Sequence, residues 1–183
     1  MKFEVITEVA ELNKFDERIA GYTGIKFPMK YWQHCKVVAG YNQEQEMIGG
    51  YALALEPPFR SLLALAKSPE HYSKFVEEVS PTEMIEASAL WLDAGARSLR
   101  NKVKLFQAML DDICEYEQPY FLYVYNLNRP YLQKFYGKLH SRVIFQGMLP
   151  GTMSGTHPVG IECAITAEIK QEMKSRRYRF LTY

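Results

Sequence analysis

The hydrophobic positions of this chain change repeatedly between strand-like runs and helical repeats. Short apolar runs predict strands over residues 2–6, 35–41, 47–55, 84–92, 120–125, 143–146 and 160–165. Apolar residues at helical spacing predict helices over residues 8–20, 57–79, 103–113 and 130–139, with a short helix over 168–174. Strands and helices therefore alternate along the whole chain.

Two connections indicate how the predicted strands pair. The polar stretch NQEQE joins the strands 35–41 and 47–55 and has the length of a hairpin loop, which predicts an antiparallel pair. A strong helix joins the strands 84–92 and 120–125, and a crossover helix of this kind gives a parallel pair. The fold class predicted is α/β (α+β), with a mixed sheet, a central parallel pair and helices on its faces.

Composition limits the class of protein. With 183 residues, 48% hydrophobic and 23% charged, the chain is expected to form one globular domain over residues 1–183. Its net charge of +1 says little about partners, so only local clusters of charge are informative.

Cysteine and histidine usage predicts neither a disulfide framework nor a metal site. The three cysteines are widely spaced without a CxxC motif, and the four histidines have no metal-ligand spacing. The start MKFEVITEVAELNKF has no continuous apolar core, and no run reaches the about 18 apolar residues of a membrane span. We therefore expect a cytoplasmic protein with reduced thiols.

An aromatic pair ends the predicted helix 130–139. The segment FYGKLHSRV, from Phe135 to Val143, resembles the "FYEKLGFRV"-type helix end of the GNAT superfamily of N-acyltransferases. The strand–helix order resembles that family over nearly the whole chain, which implies a mostly antiparallel sheet with a central parallel pair. The resemblance implies that Tyr136 returns a proton to the leaving thiolate, whereas Phe135 packs the helix on the sheet. His140 stands where the family usually has Gly.

The turn after the strand 84–92 departs from the family. Coenzyme A-dependent members have a Gly-rich turn whose N–H groups hold the pyrophosphate, but here the sequence is DAGARSLRNKVK. Four basic residues take the place of the glycines: Arg97, Arg100, Lys102 and Lys104. They form either a solvated basic face or a docking site for acidic acyl carrier protein.

Two further segments resemble the branch of acyl-homoserine-lactone synthases and long-chain N-acyl amino acid synthases. They are GGYALALEPPFRSLLAL, residues 49–65, and IEASALWLD, residues 85–93. The resemblance implies an acyl carrier protein donor and puts Glu86 at the functional carboxylate. Ala52 and Ala89 stand where lactone synthases have arginines, which favours a free amino acid or other small amine as acceptor.

Glu86 is also a candidate site residue on physical grounds, because it is a single carboxylate within the apolar run MIEASALWL. It is either a surface or salt-bridged residue, or a buried carboxylate whose desolvation makes it a better general base. Ser88 lies two residues on, hence on the same strand face, where it could hold Glu86, a substrate or a water.

The substrate site is expected between the fourth strand and the aromatic strand–helix unit. In this fold the backbone N–H groups around Leu90, Trp91 and Leu92 would polarise the thioester carbonyl. Tyr125 belongs to the aromatic group that would border an acyl tunnel, where each buried methylene contributes ~0.8 kcal/mol and rewards a chain longer than acetyl. No tightly bound cofactor is expected, only an acyl-phosphopantetheine thioester donor.

Three functional hypotheses remain open. The first is an N-acyltransferase that uses acyl carrier protein and a small amine; the second is a catalytically inactive GNAT-like protein-binding module. The third is an acetyl-CoA-dependent N-acetyltransferase, in which coenzyme A replaces the carrier protein. The tail KSRRYRF has basic residues interleaved with aromatics, but without a second basic stripe it does not predict a nucleic-acid partner.

Overall fold

The structure, a computed structural model, describes residues 1–24, 26–129, 132, 136–149 and 157–174. Within these residues the strands are β1 (Lys2–Ile6), β2 (Cys35–Tyr41), β3 (Met47–Ala54), β4 (Met84–Leu92), β5 (Tyr120–Asn126), β6 (Arg142–Gly147) and β7 (Val159–Ile165). The α-helices are α1 (Val9–Thr23), α2 (Met29–Gln33), α3 (Arg60–Leu65), α4 (Pro69–Glu78), α5 (Leu99–Glu115) and α6 (Thr166–Lys174). Short 3-10 turns stand at Pro81–Glu83, Ala94–Ala96 and Gly137–Leu139.

All seven described strands form one sheet, in the order β1-β2-β3-β4-β5-β7-β6. β4 and β5 are parallel and every other neighbouring pair is antiparallel. The predicted fold class, the hairpin and the parallel pair are therefore confirmed. The late strand β7 lies between β5 and β6, an arrangement that the order of elements along the chain does not reveal.

Helices cover both faces of the sheet. Neighbouring strand residues point to opposite faces, and Ile85 belongs to the core that includes residues of α5 and α6, whereas Met84 belongs to the core that includes residues of α3 and α4. A third core packs α1 and α2 against β2 and β3, on the same face as α3 and α4. The centre of the sheet is therefore buried on both sides.

Helix α1 shows how local sequence sets an element. Leu12, Phe15 and Ile19 lie at helical spacing and are buried. The helix runs through Gly21 and ends at Gly24, whose φ of 75° is the left-handed conformation and whose N–H donates to the Ala20 carbonyl. It is thus longer than the predicted 8–20, because the second glycine, and not the first, adopts the cap conformation.

Parts of the sequence interpretation lie outside the described residues. Of the predicted helix 130–139, the structure describes Leu132 and residues 136–139, so the packing role expected of Phe135 remains a prediction. The basic tail is described only as far as Lys174. Of the helices in the described part of the chain, none combines the length and apolar character that crossing a bilayer requires.

Candidate functional site

A large cavity opens where β4 and β5 separate. The two strands pair only from Met84 to Ala87 on β4 and from Tyr120 to Tyr123 on β5. Beyond these pairs β4 has no strand partner on the β5 side in the described part of the chain. A cavity of about 810 Å³ lies there, within the ~300–1,000 Å³ typical of small-molecule sites.

A β-bulge at Ser88 marks the start of this separation. Ala52 pairs with Ala89 and Leu53 pairs with Ala87, so Ser88 is the extra residue of β4. A bulge bends a strand and changes the direction of the side chains that follow. The Tyr31 hydroxyl donates to Ser88 Oγ at 2.6 Å, and the Ser88 carbonyl accepts from Arg60 Nη1 at 2.7 Å.

The structure brings most of the predicted site residues to this cavity. The described wall includes Ser88, Leu90, Trp91, Leu92, Tyr125, Tyr136, Arg97 and Lys102. The Trp91 indole N–H is buried and has no hydrogen-bond partner in the described part of the chain. An unsatisfied buried donor of this kind costs about 1–3 kcal/mol.

Glu86 lies behind the cavity wall, fully buried on the face that α3 covers. Its carboxylate accepts hydrogen bonds from the Arg60 N–H at 2.7 Å, from the Ser61 N–H at 2.6 Å and from the Ser61 hydroxyl. Burial raises the pKa of the Glu86 carboxyl above its ordinary value, and the hydrogen bonds from Ser61 oppose that rise. Glu86 therefore holds the start of α3 against β4.

Arg60 is a cavity residue that the sequence interpretation missed. Its guanidinium carbon lies 3.9 Å from the centre of the Phe27 ring, a cation–π contact. Burial lowers the pKa of Arg60, while electrostatic interactions with Tyr31 and Glu86 oppose that effect. This cation reaches the cavity wall at the bulge, where its side chain also bonds the Ser88 carbonyl.

Tyr136 lies within a group of packed aromatic rings on the α5 face. Its ring stacks on Tyr123 with centroids 4.2 Å apart, lies 5.8 Å from Tyr125 and meets Phe106 edge-on. Only 3% of its surface is exposed, and burial raises the pKa of its hydroxyl. No hydrogen bond joins that hydroxyl to another residue in the described part of the chain, although Tyr136 belongs to the cavity wall.

His140 adopts the left-handed backbone conformation at the position where the GNAT pattern usually has Gly. His140 has φ 50°, and its imidazole lies 3.6 Å from Glu172. Glycine adopts that conformation without steric cost, which is the physical reason a family would use Gly there.

A second buried carboxylate, Glu162 on β7, also escaped the sequence interpretation. The Tyr123 hydroxyl lies 2.8 Å from it, and the hydroxyls of Tyr125 and Ser141 also donate to it. The signal that could have identified it is the same as for Glu86, since it is one carboxylate within the apolar run VGIECAI.

The four basic residues after β4 divide into two pairs. Arg97 and Lys102 belong to the cavity wall, and Arg97 Nε donates to the Leu92 carbonyl at 3.0 Å. Arg100 and Lys104 are exposed and lie one helical turn apart on α5. Ser98 caps this helix by accepting from the Asn101 N–H at 3.2 Å, so a side chain already occupies part of its N-terminus.

The cysteines do not contribute an activated nucleophile. Burial and the neighbouring Glu86 raise the pKa of the Cys35 thiol to about 12. Because the reactive form of cysteine is the thiolate, this thiol is unreactive at neutral pH.

Comparison of sequences identified no relative: no family model and no curated protein matches the chain. Comparison of structures, in contrast, identified similar proteins. FeeM, an N-acyl amino acid synthase from uncultured soil microbes, is similar with a TM-score of 0.66 and 13% identity, covering 93% of this chain and 98% of FeeM.

Two further solved structures show the same likeness. Arabidopsis thaliana NAA60 in complex with a bisubstrate analogue has a TM-score of 0.63 at 10% identity, covering 90% of this chain and 97% of NAA60. The GNAT superfamily phosphinothricin acetyltransferase of Sinorhizobium meliloti, in complex with AcCoA, has a TM-score of 0.62 at 9% identity, covering 90% and 87%. The chain therefore has the GNAT fold.

Proposed function

We propose that this protein is an N-acyltransferase that moves an acyl chain from the phosphopantetheine thioester of acyl carrier protein to the amine of a small molecule such as an amino acid. The amine attacks the thioester carbonyl directly. The observation that carries the proposal is the cleft between β4 and β5, which exposes one edge of β4 from Ser88 onward. Phosphopantetheine contains amide groups that can pair with such an edge, as a strand would.

The N–H groups of the exposed edge suit the chemistry of acyl transfer. Attack by an amine places negative charge on the carbonyl oxygen of the thioester, and fixed backbone N–H groups stabilise that charge. We assign this role to the segment Leu90–Leu92, which lines the cavity. The Asp93 N–H bonds β3 at the Ile48 carbonyl, so by the alternation of an antiparallel ladder the N–H groups of Leu90 and Leu92 face the cleft and that of Trp91 faces β3.

The positive charge of the cavity wall favours an acceptor substrate that carries an acidic group. Every charged side chain in the described wall is basic: Arg60, Lys67, Arg97, Lys102 and Arg129. Arg60 stands at the bulge, on the α3 side of the cavity. A guanidinium binds a carboxylate strongly, so an amino acid fits this end of the cavity better than an uncharged amine.

The other basic groups support a carrier-bound donor. Arg97 and Lys102 stand at the start of α5, where they can meet the phosphate of the arm. Arg100 and Lys104 face outward from the same helix, where an acidic carrier can dock. The volume of the cavity and its aromatic wall leave room for a chain longer than acetyl.

Tyr136 is the residue we propose as the proton donor to the leaving thiolate. A phenol whose pKa lies above its ordinary value of ~10 stays protonated at neutral pH, so Tyr136 keeps a hydroxyl proton that it can share with the leaving sulfur as negative charge develops there. Glu86 receives a different role here, because three protein donors bind its carboxylate and it is absent from the described cavity wall. We propose that it positions Arg60 and α3.

Coenzyme A carries the same arm, so acetyl-CoA is the second candidate donor. Structures of the fold with acetyl-CoA, such as the Sinorhizobium meliloti acetyltransferase, favour it.

An intact-mass screen decides between donors: the purified protein is incubated with acetyl-CoA, longer acyl-CoAs and acyl carrier proteins, each with pooled amino acids. We expect N-acyl amino acids from long-chain acyl carrier protein. Product from acetyl-CoA alone would make the protein an acetyltransferase, and no product from any donor would leave a binding module.

Reversing the outward basic pair tests the docking surface. Arg100→Glu with Lys104→Glu should raise KM for acyl carrier protein at least tenfold and reduce its dependence on salt, because the attraction is electrostatic. The rate at saturating carrier should stay close to that of the wild type. The matched control is Lys30→Glu with Lys74→Glu, which makes the same change of charge at exposed sites on α2 and α4. Equal KM values for the two double variants would contradict docking on α5.

Removing the Tyr136 hydroxyl tests proton donation. Tyr136→Phe should lower kcat by about 10²-fold or more while the melting temperature changes by only a few degrees, because the ring and its stacking remain. The loss should be smallest for thioesters whose thiolate leaves most easily. Since burial raises the pKa of Tyr136, the wild-type rate should show no loss from its ionisation up to about pH 9. A rate loss of the same size for every thioester would argue against this role.

Replacing Glu86 tests positioning against general-base catalysis. The amide of Glu86→Gln cannot accept all the hydrogen bonds of the carboxylate, so one donor of α3 loses its partner at a cost of about 1–3 kcal/mol in unfolding free energy. The pH dependence of kcat/KM should keep its acid limb. Glu78→Gln, at an exposed carboxylate on α4, is the control for protein quality. Loss of the acid limb would instead assign the base to Glu86.

A further inference from the structure

We propose that Tyr125 and Glu162 form a proton relay that removes the proton of the attacking amine. The relay rests on the proposed acyltransferase function and supplies the base that Glu86 is poorly placed to provide. Tyr125 is the member that touches the substrate, and Glu162 is the buried proton acceptor behind it.

The surroundings of Glu162 consist of hydroxyl groups. The carboxylate is 6% exposed and accepts from Tyr123 and Tyr125 on β5 and from Ser141 before β6. In the described part of the chain no lysine or arginine nitrogen lies within salt-bridge distance of it. A buried charge is costly in free energy when no cation lies beside it, and the hydroxyl partners of Glu162 can pass a proton to its carboxylate.

Tyr125 connects this carboxylate with the cavity. Of the residues in the cluster, it is the one that belongs to the described cavity wall. It lies two residues after Tyr123, the last residue of β5 that pairs with β4, and its ring extends over β7, on the side of β5 away from β4. The side chain of Tyr125 therefore links the cavity wall with the carboxylate on β7.

The neighbouring strand is shaped to hold Tyr125 in this place. Tyr125 pairs with Gly160 on β7, and a Cβ on Gly160 would lie 2.8 Å from Tyr125 Cζ. Without that Cβ the ring lies flat over β7 and its hydroxyl reaches Glu162, two residues along the same strand face. The stacked ring of Tyr136 covers it from the other side, with centroids 5.8 Å apart.

The chemistry of the relay balances. The amine nitrogen forms the new bond to the carbonyl carbon and gives its proton to the Tyr125 oxygen, while the Tyr125 proton passes to the Glu162 carboxylate. The carbon–sulfur bond breaks, and the thiolate takes a proton from Tyr136. The products are the amide and the free thiol. Tyr125 ends with the proton of the amine, and exchange with solvent through the open cavity removes the proton of Glu162 and returns one to Tyr136.

Two matched variants test the relay. Tyr125→Phe and Tyr123→Phe each remove one hydroxyl bond to Glu162, and Tyr123→Phe also removes the bond to Ser141 Oγ at 2.6 Å, so Tyr123→Phe should lower the melting temperature at least as much as Tyr125→Phe. With the donor and acceptor identified in the intact-mass screen, Tyr125→Phe should lower kcat/KM by about 10²-fold or more, and Tyr123→Phe by less than tenfold. Glu162→Gln should also lower kcat/KM by about 10²-fold or more, because the relay then has no proton acceptor.

Each outcome bears on the proposal. Equal kinetic losses for the two tyrosine variants would overturn the relay and leave a structural cluster, while an active wild type still upholds acyl transfer. A loss of less than tenfold in a folded Glu162→Gln would likewise overturn it. Should Glu162→Gln fail to fold, the tyrosine pair decides alone. A wild type without product from any donor would remove the acyltransferase function and the relay with it.

Discussion

The separation of β4 from β5 is the constraint on which the rest of this site depends. The strands pair at their first residues, from Met84 to Ala87 against Tyr120 to Tyr123, and the bulge at Ser88 then bends β4 away. A parallel pair in the middle of a sheet is normally closed along its length, because unpaired backbone groups are costly to bury. Here the unpaired edge lines a cavity instead, and helices from both faces of the sheet complete its wall.

Two buried carboxylates flank this cleft, and their partners give them different chemistry. Glu86 accepts from one hydroxyl, that of Ser61, and from two backbone N–H groups, which are fixed donors and cannot give up a proton in a reaction. Glu162 accepts from hydroxyl groups, which can donate one proton while receiving another. The first arrangement favours a structural link between α3 and β4, whereas the second favours proton transfer. Burial alone does not distinguish the two, because both side chains lie in the interior.

The distribution of charge follows from helix geometry. Residues of α5 that lie one turn apart share a face, so Arg100 and Lys104 are exposed while Lys102, between them, turns toward the cavity. One basic segment can therefore contact both a phosphate within the site and an acidic surface outside it. Arg60 and Lys67 add positive charge at the far end, which is suited to an acidic group on the acceptor.

The sequence by itself determined the order of strands and helices and the parallel pair. These depend on local periodicity, which records whether neighbouring positions share a face, whereas residues 90–92 of β4 were assigned to the site through a resemblance. It also singled out Glu86 and Tyr136, the latter through a resemblance. The tertiary structure decided that β7 lies between β5 and β6, that Ser88 forms the bulge, and that Glu86 meets Ser61 while Glu162 meets Tyr125. These last contacts join residues 25 and 37 positions apart, and local periodicity carries no information about contacts at such separations.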